Sequence, residues 1–188
     1  MKTSKKGRLY IISGPSGSGK GTLLELLHRQ KVNIILSISA TTRPPREGET
    51  DGVDYFFLDR EEFLRLMNRD GFIEHAEYCG NLYGTPKSAV SKWLEQGQNV
   101  VLEIEVQGAQ IVKEKMPGSV SVFIMPPSLE VLEERLRKRK TENEEVLRER
   151  LETARQEMAQ AEQYDHVVVN DSMEQAAADL EHIINGGT

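Results

Sequence analysis

The sequence is poor in the residues that build disulfides and metal sites. Its 188 residues include a single cysteine, Cys79, and four histidines scattered at positions 28, 75, 166 and 182. One cysteine excludes an internal disulfide and any cysteine-cluster zinc site, and the histidines lack the spacing of a metal site. The length instead suits one domain with a substantial apolar core and at most a small mobile insert.

Long apolar runs are also missing. No stretch approaches the roughly 20 residues that a membrane-spanning helix needs, and the run Leu9–Ile12 behind the basic N-terminus is too short for a signal peptide. Acidic side chains outnumber basic ones by 30 to 24, for a net charge of −6, which weakens any case for general nucleic-acid binding. We therefore expect a cytoplasmic protein with no membrane or nucleic-acid partner.

One short segment carries the opposite charge. Five basic residues lie within six positions of an otherwise acidic half of the chain: Arg135, Arg137, Lys138, Arg139 and Lys140. A charge run of this kind is most often a solvated helix face. RNA binding and a catalytic role are the two alternatives, and only the context of the other motifs decides between them.

Strand-like and helix-like segments alternate along the chain. Strands are predicted at Leu9–Ser13, Ile34–Ser39, Tyr55–Leu58, Val100–Val106, Val120–Met125 and His166–Val169, and helices at Lys20–Gln30 and Met173–Ile184. Helix starts are marked by the pairs Asp59 with Glu62 and Thr141 with Glu144, and by Thr85-Pro86. Strands connected through helices predict an α/β fold with a mostly parallel sheet and helices on both faces.

Two segments interrupt this alternation and divide the chain. Residues 39–97 contain a loop rich in proline and glycine, a short strand and a helix, as an insert between core strands would. Residues 128–163 are charged and helical, with a break near Lys140-Thr141 and an apolar seam that is too short for a coiled coil and predicts packing on the core. The core is then formed by residues 1–38, 98–127 and 164–188.

The most specific motif is the loop between the first strand and the first helix, Gly14-Pro15-Ser16-Gly17-Ser18-Gly19-Lys20-Gly21-Thr22. That context is the one a P-loop requires. Glycines let successive backbone N–H groups face a phosphate, the helix N-terminus adds partial positive charge, and Lys20 brings a full charge to the β- and γ-phosphates. Residues 14–22 are therefore predicted to bind a nucleoside triphosphate.

The loop departs from the usual pattern at Gly21, where serine or threonine ordinarily ligates magnesium. In this respect it resembles the phosphate loop of adenylate kinases. Two alternative functions therefore stay open: another nucleoside monophosphate kinase, or a kinase of a phosphorylated sugar. Either Thr22 replaces the missing ligand, or nucleotide oxygens and water hold Mg²⁺, which this ion tolerates well. We prefer the second account, in which Mg²⁺ is a cofactor without a certain protein ligand.

A second anion site is indicated further along the chain. Arg43 and Arg46 flank two prolines that restrict the backbone, and guanidinium groups held in this way suit bidentate capture of a phosphate. Tyr55 and Tyr83 offer hydroxyl groups to the same oxygens, although either tyrosine alone is more commonly a half-buried packing residue. Together, the four side chains predict an acceptor that carries a phosphate.

In combination, these motifs resemble those of guanylate kinases. The phosphate loop, SxSxTTRxPRxGE, DYxF, FIE, YG[ST], VQG, PPS and VVVND occur in the order of that family, from about Leu9 to Ile184. The resemblance implies a P-loop parallel-sheet core with a mobile GMP-binding insert at residues 39–97 and a helical lid at 128–163. It also implies an enzyme of guanine nucleotide metabolism that converts ATP and GMP to ADP and GDP. Guanylate-kinase-like modules that bind proteins without catalysis typically lose the phosphate-loop and lid residues, which are present here.

The resemblance also implies roles for individual residues. The GMP phosphate would be held by Arg43, Arg46, Tyr55 and Tyr83, and the guanine read by Ser39, Glu74, Thr85 and Glu105. A carboxylate at Glu74 matches the two N–H donor groups of guanine. The lid arginines Arg135, Arg139 and Arg150 would join Lys20 and Arg43 as the catalytic residues, and Asn170 would contact the adenine side.

Two further expectations concern the chemistry. Glu103 and Glu105 have i, i+2 spacing in a predicted strand and should point to the same side at its end, near guanine or hydrated magnesium. The attacking oxygen belongs to an ionised phosphate, so no general base is needed, and lid closure would exclude water. The sequence is compatible with assembly into a homo-oligomer.

Overall fold

The computed structural model describes residues 6–78, 80–138 and 144–186. The strands are β1 (Leu9–Ser13), β2 (Ile34–Leu36), β3 (Ala40–Thr41), β4 (Phe56–Phe57), β5 (Phe72–Tyr78), β6 (Asn81–Pro86), β7 (Asn99–Glu103), β8 (Val120–Met125) and β9 (His166–Val169). The helices are α1 (Lys20–Arg29), α2 (Arg60–Asn68), α3 (Lys87–Glu95), α4 (Val106–Lys115), α5 (Leu129–Lys138), α6 (Glu144–Met158) and α7 (Met173–Ile184), with a 3₁₀ turn at Ala161–Gln163.

Contacts within the chain define two compact units. The first lies within residues 1–9, 34–102 and 110–119, and the second within residues 10–33, 103–109 and 120–188. The core, GMP-binding insert and lid that the sequence predicts divide the chain differently, because residues of the predicted core belong to both units. That three-part division stays a prediction.

The second unit is built on parallel strands. Strand β8 pairs in parallel with β1 on one side and with β9 on the other. Every residue of β1 is buried, as expected for a strand covered on both faces. Helices α1 and α7 pack together and bury the apolar residues Leu23, Leu27, Ala176 and Leu180. The predicted α/β class with parallel strands is confirmed.

The first unit contains a parallel pair, β2 with β7, and a second sheet with the strand order β4-β3-β6-β5. In that sheet β3 runs parallel to β4, while β6 is antiparallel to both β3 and β5. Helix α2 covers a small core in which the rings of Phe63 and Phe72 stack with centroids 4.4 Å apart. Of its four strands, the sequence predicted only β4, within the predicted strand Tyr55–Leu58. Strand β3 has two residues, too few to show alternation, and β5 and β6 were not predicted.

One predicted helix start is confirmed and another is wrong. The Asp59 carboxylate accepts the N–H of Glu62 at 2.7 Å, and the Glu62 carboxylate accepts the N–H of Asp59 at 3.4 Å, which completes the capping box of α2. Thr85 does not cap α3, which begins at Lys87; it lies in β6, and its hydroxyl donates to a carboxylate across the hairpin. Thr141 lies outside the described residues, and α6 begins at Glu144.

The prediction for Val100–Val106 is also wrong. Strand β7 ends at Glu103 and α4 begins at Val106, so Glu105 lies between a strand and a helix and does not share a strand face with Glu103. The apolar seam of the segment 128–163 packs on the core only at its end, where Ala161 joins Val106 and Phe123. Its earlier residues Leu147 and Ala154 pack instead on Leu132 and Leu136 of α5. None of the helices within 6–78, 80–138 and 144–186 combines the length and apolar character needed to cross a membrane.

Candidate active site

The loop from Gly14 to Gly19 connects β1 to α1 and depends on its glycines. The φ angles of Gly14, Gly17 and Gly19 are 141°, 90° and 92°, in a region that other residues rarely enter. A Cβ atom on Gly14 would lie 2.4 Å from the carbonyl oxygen of Ile124, and one on Gly19 would lie 2.4 Å from Nδ2 of Asn170. The tight turn brings the chain to the N-terminus of α1, whose first N–H groups have no partner within the helix.

Replacing Gly14 with alanine should therefore lower the free energy of unfolding by about 2 kcal/mol or more, since a left-handed backbone alone costs a non-glycine residue about 1–2 kcal/mol. The clash with a backbone oxygen of β8 adds to that cost. Gly118→Ala is the matched control, because a Cβ there meets nothing within 4 Å and φ is not left-handed. Denaturant unfolding of both variants provides the measurement, and equal midpoints would contradict the expectation.

Three side chains are attached to this loop. The Lys20 ammonium donates to the carbonyl oxygens of Gly14 and Pro15, the latter at 3.1 Å. The buried Asn170 donates from Nδ2 to the carbonyl oxygen of Ser18 at 2.7 Å. Arg135 donates from Nη2 to the carbonyl oxygen of Asn170 at 2.9 Å and from Nη1 to that of Ser18 at 3.4 Å. Lys20, Asn170 and Arg135 were each predicted to contact ATP, and the structure gathers them at one turn.

Carboxylates lie near the same lysine. The oxygens of Glu103 are 3.7 and 3.9 Å from the point where a Cβ of Gly21 would stand, beside the position of the usual magnesium-binding hydroxyl. Desolvation raises the pKa of Glu103, and the positive charge of Lys20 offsets part of that rise. Desolvation likewise raises the pKa of Glu157 on α6, which lies near both Lys20 and Glu105, and Lys20 again opposes the shift. Sequence analysis missed Glu157, because nothing local marks a helical glutamate as a neighbour of the loop.

The described part of the chain contains no group of three or more histidine, cysteine, aspartate or glutamate side chains that could hold a metal ion. A carboxylate beside Gly21 nevertheless suits a hydrated magnesium ion, which takes oxygen ligands and keeps several waters. Desolvation raises the pKa of Glu105 as well.

The predicted phosphate-binding residues meet in the first unit. Arg43 donates from Nη2 to Oε1 of Glu49 and from Nη1 to the carbonyl oxygen of Pro44, both at 2.8 Å. Its guanidinium carbon lies 5.5 Å from the centroid of the Tyr55 ring, and the rings of Tyr55 and Tyr83 meet edge to face at 6.3 Å. The structure therefore brings Arg43, Tyr55 and Tyr83 together around one guanidinium group.

Two of the predicted guanine-reading residues also meet. Glu74 on β5 is 7% exposed, and the buried hydroxyl of Thr85 on β6 donates to its Oε1 at 2.7 Å. The pairing of the two strands shifts register between Phe72 and His75, next to Glu74. Ser39 precedes β3, and its carbonyl oxygen accepts the N–H of Phe56 at 2.9 Å.

For the remaining predicted site residues, the structure gives burial and backbone contacts. Arg46 is exposed, and its backbone N–H donates to Oε2 of Glu49 at 2.7 Å. Arg150 is half-buried on α6, Ser16 and Thr22 are exposed, and Arg139 lies outside the described residues, as does Cys79. No role was predicted for Glu49, although it closes the motif that contains the two arginines predicted to bind phosphate.

Comparisons with known proteins agree with this geometry. The model of the family described as guanylate kinase matches residues 6–186. A guanylate kinase of Carboxydothermus hydrogenoformans is 48% identical over 95% of this chain and 88% of its own length. One from a Synechocystis species is 49% identical over 97% of this chain and 96% of its own length.

A solved structure supports the same assignment. The crystal structure of guanylate kinase from Anaplasma phagocytophilum is 39% identical, has a TM-score of 0.75, and aligns over 97% of this chain and 86% of that chain. The chain belongs to the guanylate kinase family.

Proposed function

We propose how this chain performs the reaction of its family, the transfer of the γ-phosphoryl group of ATP to GMP to yield ADP and GDP. The observation that carries the proposal is that one chain contains both a glycine-dependent phosphate loop, in the second unit, and an arginine–tyrosine cluster with a buried carboxylate, in the first. The loop suits the donor triphosphate. The cluster suits the phosphate of a nucleoside monophosphate, and the carboxylate suits its base.

On the donor side, the backbone N–H groups of residues 14–22 surround the phosphates of ATP, and Lys20 neutralises charge on the group being transferred. Arg135, Arg139 and Arg150 supply further positive charge, and Asn170 supports both the loop and Arg135. Magnesium would be held mainly by nucleotide oxygens and water, and the Glu103 carboxylate beside Gly21 could bind the waters of the hydrated ion. When bound, the ion withdraws negative charge from the phosphates.

On the acceptor side, Arg43, Arg46, Tyr55 and Tyr83 bind the GMP phosphate and turn one oxygen toward the γ-phosphorus. That oxygen is already ionised, so these residues orient the nucleophile and no side chain has to remove a proton. In-line displacement of ADP then follows from position and charge.

The base is read around the buried carboxylate of Glu74, which accepts hydrogen bonds from N1–H and N2–H₂ of guanine. Ser39 and Thr85 are the other base-reading residues of the first unit, and the role of Glu105, in the second unit, stays a prediction from the family resemblance. Adenine would turn an acceptor toward Glu74 and leave buried groups unpaired. Sites of this kind can reject the wrong analogue by about 10⁴-fold.

Steady-state kinetics with ATP and a series of acceptors tests this proposal. We expect kcat/KM to be highest for GMP and about 10⁴-fold lower for AMP. Preference for AMP would identify another nucleoside monophosphate kinase, and tight GMP binding without turnover would identify a protein-binding module. Retention of RNA on a filter at physiological salt would instead favour the nucleic-acid interpretation of the basic cluster.

A further inference from the structure

Glu49 connects the two arginines assigned to the GMP phosphate. Its Oε1 accepts from Nη2 of Arg43 at 2.8 Å, and its Oε2 accepts from the backbone N–H of Arg46 at 2.7 Å. The loop is closed by a third bond, from the N–H of Glu49 to the carbonyl oxygen of Arg46 at 3.1 Å. One carboxylate therefore determines both where the Arg43 side chain lies and how the backbone turns at Arg46.

The pair is shielded from water, because the side chains of Arg43 and Glu49 are only 13% and 20% exposed. The guanidinium carbon is also 5.8 Å from the centroid of the Phe57 ring, so aromatic side chains further limit its movement. The hydrogen bond from Arg43, followed by that from the Arg46 amide, lowers the pKa of Glu49. The carboxylate is therefore ionised at neutral pH, with both oxygens as acceptors.

The contacts leave Arg43 able to bind a phosphate. A guanidinium group has five N–H donors. The bonds to Glu49 and to the Pro44 carbonyl use two of them, and the side chain of Tyr83 also bonds to the group. Because these two bonds hold one end of the side chain, the direction of its other donors is set before any ligand arrives. Such preorganisation raises affinity by removing the entropy cost of ordering a long side chain on binding.

We propose that Glu49 is a positioning residue for binding of the acceptor phosphate. Its carboxylate holds the guanidinium group of Arg43 and the backbone turn at Arg46 in the geometry that binds GMP. This inference rests on the proposed assignment of Arg43 and Arg46 to the GMP phosphate, and it adds a residue that does not itself touch the substrate.

Charge alone makes the opposite prediction. Glu49 is an anion close to the place assigned to another anion, so removing its charge should strengthen phosphate binding if Coulomb repulsion, or competition for Arg43, were the main effect. A positioning role predicts weaker binding after the same change. The sign of the effect therefore separates the two explanations.

The test is calorimetric titration of GMP and of guanosine, which lacks the phosphate, into the wild type and Glu49→Gln. We expect the variant to bind GMP about 10-fold more weakly, as for the loss of one charge-assisted hydrogen bond, and guanosine within about twofold of the wild type. A merely structural defect would weaken both ligands alike. Unchanged or tighter GMP binding, or an equal loss for guanosine, would overturn the proposal.

Glu47→Gln is the matched control, since it removes the same charge from an exposed position two residues away in the same loop. We expect it to bind GMP as tightly as the wild type or slightly more tightly. In an Arg43→Ala background, Glu49→Gln should weaken GMP binding by clearly less than about 10-fold, because only the Arg46 turn is then left for Glu49 to hold. A full 10-fold loss in that background would also contradict the proposal. Failure of the wild type itself to bind GMP would refute the proposed function instead.

Discussion

The variant Lys20→Ala is expected to lower kcat for GMP phosphorylation about 10³-fold, the loss typical when a group that stabilises transition-state charge is removed. In the structure the Lys20 ammonium already lies at the loop, bonded to the carbonyl oxygens of Gly14 and Pro15. Removing it deletes a positive charge that is proposed to act on the transferred group. Lys20 belongs to the second unit, whereas Glu74 and the residues proposed to bind the GMP phosphate belong to the first. The affinity for GMP, measured by calorimetry, should therefore change by less than about threefold.

A matched control for this variant is Lys138→Ala, which removes the same side chain from an exposed position on α5. Its kcat should remain within about twofold of the wild type, as for surface substitutions in general. Comparable losses of kcat in both variants would show that net charge, and not the position of Lys20, supports turnover.

The variant Glu74→Gln is expected to raise KM for GMP about 100-fold, since hydrogen bonds to a buried charged group contribute roughly 1.5–3 kcal/mol. Glutamine keeps the shape of the side chain but offers one acceptor oxygen where the carboxylate offers two. Its amide N–H₂ then faces a donor of guanine or the hydroxyl of Thr85, which now bonds to Oε1 of Glu74 at 2.7 Å. KM for ATP should be almost unaffected.

Glu77→Gln provides the comparison for that variant, because Glu77 lies on the same strand with an exposed side chain. We expect its KM for GMP to match the wild type. Inosine monophosphate, which lacks the 2-amino group, gives a second measurement: the preference for GMP over this analogue should shrink in Glu74→Gln. A KM for GMP that does not change would remove Glu74 from the base-reading site.

Regular elements of the second unit could be predicted from sequence to the residue. The bounds predicted for β1, β8, β9 and α7 are those observed. Strands β1 and β8 are nearly continuous apolar runs and are largely buried, and the hydroxyl of Ser172 caps α7 at its start, so short-range signals and burial agree. In β9 the run of valines was sufficient, although only Val168 is buried. The phosphate loop was predictable for the same reason, because its glycines are required by local backbone angles.

The errors occur where a residue's partner is distant in sequence. Thr85 precedes a proline and matches a helix cap, yet its hydroxyl bonds to Glu74, eleven residues away on another strand. Glu49 lies in a loop with several polar residues, and nothing in the sequence indicates which of them binds Arg43. A hairpin or loop closure creates these pairs, and neither periodicity nor capping rules describe them.

The Glu74–Thr85 pair has a consequence for how this enzyme could change its substrate. The two side chains lie on opposite strands of one hairpin, and both are buried. Replacing either one alone leaves a polar atom without its partner, at a cost of about 1–3 kcal/mol. With this pair as the proposed guanine reader, a change of substrate from guanine to adenine would pass through variants that recognise neither base well, and single mutations would rarely change the base preference.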